Sequence, residues 1–184
     1  MKDKLIIGFM GLKQSGKTTA AEVLMQSNPY DICLTSFAEP LKRSVKELFL
    51  FSNKQLTDPK LKEVIDPRWG KSPRQIMQLF GTDFVREMIK EDFWVQRMLS
   101  FIDETPAKVF VLDDVRFASE GQICDYLFAI YRDGQINLDE HQSENPPYHM
   151  ADSVIINRYD TVREYRKFVA TESKAAKLIQ EYLY

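Results

Sequence analysis

Gly11, Gly16, Lys17 and Thr18 stand in the pattern G-x-x-x-x-G-K-[ST] across Gly11-Leu12-Lys13-Gln14-Ser15-Gly16-Lys17-Thr18. Residue types at that spacing hold the phosphates of a nucleotide. The two glycines allow backbone conformations and close approaches that a Cβ would hinder, so successive amides can turn inward around an anion. Lys17 adds a mobile positive charge over the β- and γ-phosphates, and Thr18 offers a hydroxyl to Mg²⁺. A helix starting here would aim its N-terminal amides and positive dipole end at the same anion.

Other residues suit the same chemistry. Asp113-Asp114 closes an apolar run, where a carboxylate can orient Mg²⁺; the bland alternative is a pair of solvent-facing acids. Neighbours on a strand point to opposite faces, so the two acids have different jobs. Arg116 meets a phosphate on the same rim, or else pairs with Asp113 or Glu120. Ser36 to Lys42 reads as a strand-to-helix transition and a second candidate phosphate site, with Lys42 and Arg43 in the first helical turn; the alternative is a solvated basic pair. Arg74 and Gln78, four apart, share a helix face away from the apolar stripe. Arg74 can grip a phosphate through two parallel bonds, and Trp94 is either a flat platform for a base or a core residue. Arg86 reads as a solvated helix charge. Arg132 contacts donor phosphate, stacks on adenine, or forms an ordinary salt bridge. His141-x-Ser143-Glu144 lacks partners at nucleophile or metal spacing.

These residues need elements to position them. Leu5-Ile6-Ile7-Gly8-Phe9-Met10 is a short apolar run suited to a strand buried on both faces, and Thr19 to Met25 continues with good helix formers. The octapeptide therefore sits between a strand and a helix, the context that its chemistry requires. A second strand is expected near 32–37, then a helix over 40–51 with Pro40 in its first turn. Residues 52–71 read as loop with at most a short helical turn. Ser72 caps a helix with Pro73 at its first position, and Gly81 is expected to close it. A second helix follows from Thr82 and a third near 93–103. Val109 to Leu112 is a clear strand, 118–124 a short helix, 126–131 a fourth strand and 153–156 a fifth. Thr161 and Glu164 fit a capping box, and one apolar stripe runs from Val162 to Leu183.

Composition sets bounds. The chain has 184 residues, 44% apolar and 28% charged, which suits one globular domain. The formal net charge of −2 argues against a broad basic footprint for nucleic acid. Cys33 and Cys124 have neither metal nor redox spacing, and two histidines are too few for a zinc cluster. The opening Met1-Lys2-Asp3-Lys4 and the apolar run after it lack a cleavage site, and no stretch is long enough to span a membrane, so no membrane partner is expected. The strand–helix alternation implies an α/β domain with a mainly parallel sheet, ligands lying at the carboxyl ends of its strands.

Taken in order, the phosphate loop, A-x-P-L-K at 38–42, Q-L-F-G-T-D at 78–83, Trp94, D-D-V-R-F at 113–117 and H-x-S-E at 141–144 resemble the bacteriophage deoxynucleoside monophosphate kinases. Asn157 with Thr161 four residues on looks like that family's N-x-G-T turn, with Tyr159 near the usual glycine. The resemblance implies a P-loop kinase fold on a five-stranded sheet, over one domain 1–184, with a helical substrate-binding insertion at about 39–104 and a lid-like loop at about 132–151. It implies transfer of the γ-phosphoryl group of ATP, with Mg²⁺, to a deoxynucleoside monophosphate in the cytoplasm, the host's if the chain is phage-encoded. ATP would lie on Gly11, Gln14, Ser15, Gly16, Lys17, Thr18, Thr19 and Arg132, and the metal on Thr18 and Asp113. The acceptor would lie on Lys13, Leu41, Lys42, Arg74, Gln78, Gly81, Thr82, Trp94, Asp114 and Arg116, with Lys17, Arg74, Asp114 and Arg116 serving catalysis. A dephospho-coenzyme A or adenylate kinase on the same fold, or a nucleotide-operated switch, are the rival readings. A guanine-reading N-K-x-D is missing, since Asn53-Lys54-Gln55-Leu56 lacks the Asp. Base preference and oligomeric state, monomer or homodimer, stay open.

Overall fold

The computed structural model describes residues 4–135, 141 and 145–184. Its chain divides into two compact units, residues 1–36 with 98–184 and residues 37–97. The first is built on five strands, β1 (Leu5–Met10), β2 (Ile32–Thr35), β3 (Val109–Leu112), β4 (Tyr126–Arg132) and β5 (Ser153–Asn157), in the order β2-β3-β1-β4-β5. Every neighbouring pair is parallel. β1 and β3 are buried at each residue, which is why their sequences show no polar alternation: a parallel strand in mid-sheet has both faces covered.

Helices α1 (Lys17–Ser27), α7 (Val162–Thr171) and α8 (Lys174–Leu183) supply one cover. Ile7, Phe9, Val111, Phe128 and Ile130 from the sheet pack with Leu24, Tyr165, Val169 and Ile179 from these helices in one cluster. At full burial each such side chain contributes roughly 1.5–3 kcal/mol. Register then fixes the site's position. Leu112 pairs with Gly8, so β1 runs on past the end of β3, and the Val115 amide bonds to the Phe9 carbonyl at 3.1 Å. The Asp113-Asp114 turn therefore lies alongside the last residues of β1, where the phosphate loop begins.

The second unit is helical. It holds α2 (Ala38–Phe49), α3 (Asn53–Thr57), a 3₁₀ turn (Leu61–Glu63) and α4 (Pro73–Gln78), which continues without a break into a π-helical segment, Leu79–Ile89. Its core is Val45, Phe51, Leu56 and Ile76, joined by Leu41, Phe49, Met77 and Phe80. The next helix, α5 (Phe93–Glu104), has residues up to Arg97 in this unit and the rest in the first. In the first unit the Lys4 ammonium caps its end, bonding the carbonyls of Ile102, of Asp103 at 3.1 Å and of Thr105 at 2.8 Å. A short α6 (Ala118–Gly121) and a 3₁₀ turn (Tyr148–Met150) complete the described elements.

Several local expectations need correction. Residues 52–71 are mostly loop and turn, as expected, and the helical part is α3 with the 3₁₀ turn: Ser52 caps α3 by accepting from the Gln55 amide, and its own amide donates back to the Gln55 side chain. Gly81 does not close a helix. Its φ is not positive, its carbonyl accepts the Trp94 indole N–H at 2.8 Å, and a Cβ there would stand 2.6 Å from Leu41 Cδ2, so the glycine serves close packing with the Leu41 side chain rather than chain reversal. Because the helix runs on, Arg86 is buried rather than solvated, and its Nη1 donates to the Glu91 carbonyl just past the helix end at 2.9 Å. The C-terminal apolar stripe is two helices. Ser173 caps α8 through the Ala176 amide while its hydroxyl donates to Val169, which stops α7 at Thr171. The short helix expected over 118–124 ends at Gly121.

Candidate active site

The phosphate loop joins β1 to α1. Gly11 has φ +149 and Gly16 +111, conformations that glycine adopts without strain, and Gln14 between them takes the left-handed φ of +64. A Cβ on Gly11 would lie 2.3 Å from the Ile130 carbonyl oxygen, which leaves no room for any other residue. Gly16 begins α1 with no side-chain cap, and the amides of the first turn stay directed at the space in front of the helix. Lys17 folds back over the loop, donating to the carbonyls of Gly11 at 2.7 Å and Leu12 at 2.6 Å. Its charge thus sits above the same concavity.

A cavity of about 220 Å³ opens beside this helix start, lined by Gln14, Gly16, Lys17, Thr18, Thr19 and Arg132 and by Asn157, Tyr159, Asp160, Thr161, Val162 and Tyr165. Asn157, at the end of β5, donates to the Ser15 carbonyl at 3.0 Å inside the protein. Tyr165 lies 3% exposed against Gly16, with its hydroxyl making no hydrogen bond among the described residues. Burial first, and then the neighbouring Tyr159, push that phenol far above its ordinary range. Tyr159, near the usual glycine of the resembled turn, packs on Tyr165 and Phe168 with ring centroids 6.1 and 5.4 Å apart.

Across the loop, the Thr18 hydroxyl donates to Asp113 Oδ2 at 2.6 Å. The two residues named for the metal from sequence are thus adjacent in space. Asp114 and Arg116 are half-buried on the turn that follows. That turn is stapled by Glu120, whose 3%-exposed carboxylate accepts the amides of Arg116 at 2.8 Å and Phe117 at 3.2 Å. Glu120 was read only as a candidate ion-pair partner, yet it shapes the backbone here. Lys13 is exposed, and its carbonyl accepts from the Gln135 side chain near the root of the lid-like loop. His141 is described, but Ser143 and Glu144 of the same motif, and most of the loop's centre, lie outside the described residues.

The remaining named residues belong to the second unit. Ser72 accepts from the Gln75 amide and Pro73 occupies the first turn, so α4 starts where its sequence says and carries Arg74 and Gln78 on consecutive turns. Arg74 is 7% exposed, and its Nε donates to Glu63 Oε1 at 2.6 Å. Glu63 is a partner that sequence reasoning missed. It lies on the segment expected to be loop, eleven residues away, with no periodicity to signal it. Gly81 and Thr82 are buried on the π-helical segment, Leu41 packs against Gly81, and Lys42 is half-buried on α2. Trp94, 9% exposed, meets Phe93 edge-on at 5.0 Å and bonds to Gly81. This unit thus brings together Leu41, Gly81 and Trp94 in direct contact.

Residues 52–168 match the family described as deoxynucleotide monophosphate kinase. This chain belongs to the deoxynucleotide monophosphate kinase family. A protein of Acanthamoeba polyphaga mimivirus, provisionally named a deoxynucleotide monophosphate kinase, is 38% identical over 157 residues, spanning 76% of this chain and 80% of that one. The deoxynucleoside-5'-monophosphate kinase of Escherichia phage T5 is 36% identical over 52 residues, 28% of this chain and 21% of that one. Among solved structures, TT1252 from Thermus thermophilus covers both chains fully at 17% identity with a TM-score of 0.54. Dephospho-CoA kinase from Campylobacter jejuni covers 97% of each at 15% identity with a TM-score of 0.50. At those identities the likeness is one of fold, that of the P-loop kinases. Family membership makes the chain a phosphotransferase acting on a deoxynucleoside monophosphate, with ATP as phosphate donor, and sets aside the switch reading. No helix among the described residues is long and apolar enough to cross a membrane.

Proposed function

We propose that the chain moves the γ-phosphoryl group of ATP directly, in line and with Mg²⁺, onto the phosphate of a deoxynucleoside monophosphate, giving ADP and a deoxynucleoside diphosphate. The observation that carries this reading is the Thr18–Asp113 contact at 2.6 Å beside the phosphate loop. It assembles hard oxygen ligands from two distant parts of the chain, the donor set that suits Mg²⁺. Bound there, the ion would offset charge on the β- and γ-phosphates.

The protein's own residues then do the positioning. The loop amides and Lys17 hold the donor phosphates, and Arg132 with the stretch from Asn157 to Thr161 borders the donor's other end. Lys42, Arg74, Gln78, Gly81, Thr82 and Trp94 take the acceptor, with Arg74 on its phosphate. Lys13, Asp114 and Arg116 serve the acceptor phosphate as well. Two polyanions must be brought together, so catalysis consists of alignment and neutralisation of charge rather than covalent chemistry.

The test is ADP production with ATP and Mg²⁺ over a panel of deoxy- and ribonucleoside monophosphates. Turnover should require an added monophosphate and favour deoxyribose. ADP released at the same rate without any monophosphate would overturn the reading.

A further inference from the structure

We infer that Asn157 is a positioning residue for the donor phosphates: through the Ser15 carbonyl it sets the direction in which the Gly16 amide points. The inference rests on the reading that the phosphate loop binds the donor. Asn157 ends β5, is 7% exposed, and its Nδ2 lies 3.0 Å from the carbonyl oxygen of fully buried Ser15. A carbonyl only accepts, so the amide nitrogen of Asn157 must face it.

The peptide bond between Ser15 and Gly16 is planar and trans, with its C=O and N–H pointing in opposite directions. Drawing the carbonyl inward toward Asn157 therefore turns the Gly16 N–H outward, into the loop's concavity. That amide is one of those a phosphate loop offers to an anion. Gly16, at φ +111, has no conformational preference strong enough to hold this peptide plane by itself. The side chain packs on the glycine as well as bonding beside it: a Cβ on Gly16 would meet Asn157 Nδ2 at 2.7 Å and Tyr165 Cε1 at 2.8 Å. On the other side of Ser15, the Ser15 amide bonds to the Leu12 carbonyl at 3.2 Å, so the residue is held at both ends. Asn157 also lines the donor cavity, and removing its amide would leave a buried carbonyl unpaired and free to rotate.

The prediction separates phosphate positioning from a contact with the base. In Asn157→Leu, which keeps the volume, and in Asn157→Asp, which puts a carboxylate against the carbonyl, affinity for ATP and for inorganic tripolyphosphate, measured by calorimetry with Mg²⁺ at pH 8, should fall together by about tenfold. Asn157→Ser, which keeps a donor, should lose less, and the acceptor KM should stay within about twofold of the wild-type value in all three. Wild-type tripolyphosphate affinity in the Leu and Asp variants overturns the inference, whether or not ATP binding falls. Circular dichroism identifies a variant that does not fold, in which case the remaining two decide. Lys17→Ala is the control. If it binds tripolyphosphate as the wild type does, the donor reading and this inference fall together; if it loses binding while the Asn157 variants keep it, only this inference falls.

Discussion

The two units of the chain build their candidate phosphate sites in different ways. In the first, the candidate donor site is made of backbone: glycines at positive φ, an uncapped helix start, and a carbonyl tied down by Asn157. In the second, the candidate acceptor site is made of side chains held by other side chains, Arg74 by Glu63 and Trp94 by the Gly81 carbonyl. A backbone cradle demands particular residues at fixed spacing, because only glycine takes the conformations and only a helix start presents the amides. A side-chain site demands only that partners converge, and they can come from any part of the chain. The first kind of site is written as a motif; the second is written in the fold.

The largest effect should come from Lys17→Ala. It removes the one charge that the backbone cradle cannot replace, and kcat should fall by about 10³ or more with the far-ultraviolet spectrum unchanged. Near-normal turnover would remove the donor site from the comparison. Gly16→Ala sharpens it: the new methyl meets Asn157 and Tyr165 under 3 Å at a strained φ, so ATP affinity should drop by roughly 10²-fold and stability by about 1–3 kcal/mol. A chain that accepted alanine there would show that the cradle is looser than its geometry.

On the side-chain half, Arg74→Ala should raise the acceptor KM or lower kcat by roughly 10–100-fold while leaving the KM for ATP alone. Glu63→Ala should give the same pattern at about tenfold, because it frees the guanidinium from its fixed place. If Glu63→Ala instead improves the acceptor KM, the carboxylate competes with the substrate phosphate rather than orienting Arg74. Trp94→Phe removes the indole bond to Gly81 and should cost about 1 kcal/mol, lowering Tm by about 2–4 °C. Tryptophan fluorescence should also respond to a deoxynucleoside monophosphate, and single-tryptophan variants, with only Trp69 or only Trp94 present, assign the signal.

The smallest effect is one of pH. Arg68 beside Asp66 holds that carboxyl down at about 2, against an ordinary 3.8. A lowered pKa stabilises the fold above the ordinary value and is lost as pH falls through the lowered one, so this contribution should disappear between about pH 4 and pH 2. Asp66→Asn should flatten that part of the acid-unfolding curve. An unchanged curve would mean that the pair in the second unit holds nothing together.

Much of the fold was legible from pattern. The two-sided burial of β1 and β3 showed as unbroken apolar runs, the caps at Ser72 and Thr161 showed as residue types at fixed offsets, and the strand positions followed. Two of the misreadings, at Gly81 and Arg86, share one cause. Gly81 looks like a helix stop in sequence, yet whether a glycine ends a helix or admits a neighbour depends on what packs on it, here Leu41 and Trp94. Arg86 looked solvated for the same reason, since its exposure depended on whether the helix continued.

What the sequence determined by itself was the donor chemistry. Gly11, Gly16, Lys17 and Thr18 state it locally, because their conformational and charge requirements are met within eight residues. Tertiary structure decided the bonds that hold the named residues in place: Thr18 to Asp113, both already named from sequence, then Asn157 at Ser15, Glu120 at the Arg116 amide and, in the second unit, Glu63 at Arg74. Of these bonds, the first two join residues 95 and 142 positions apart. No local preference specifies such a pair; the parallel register of the sheet brings them to one edge, and burial makes the Asn157–Ser15 bond costly to leave unmade.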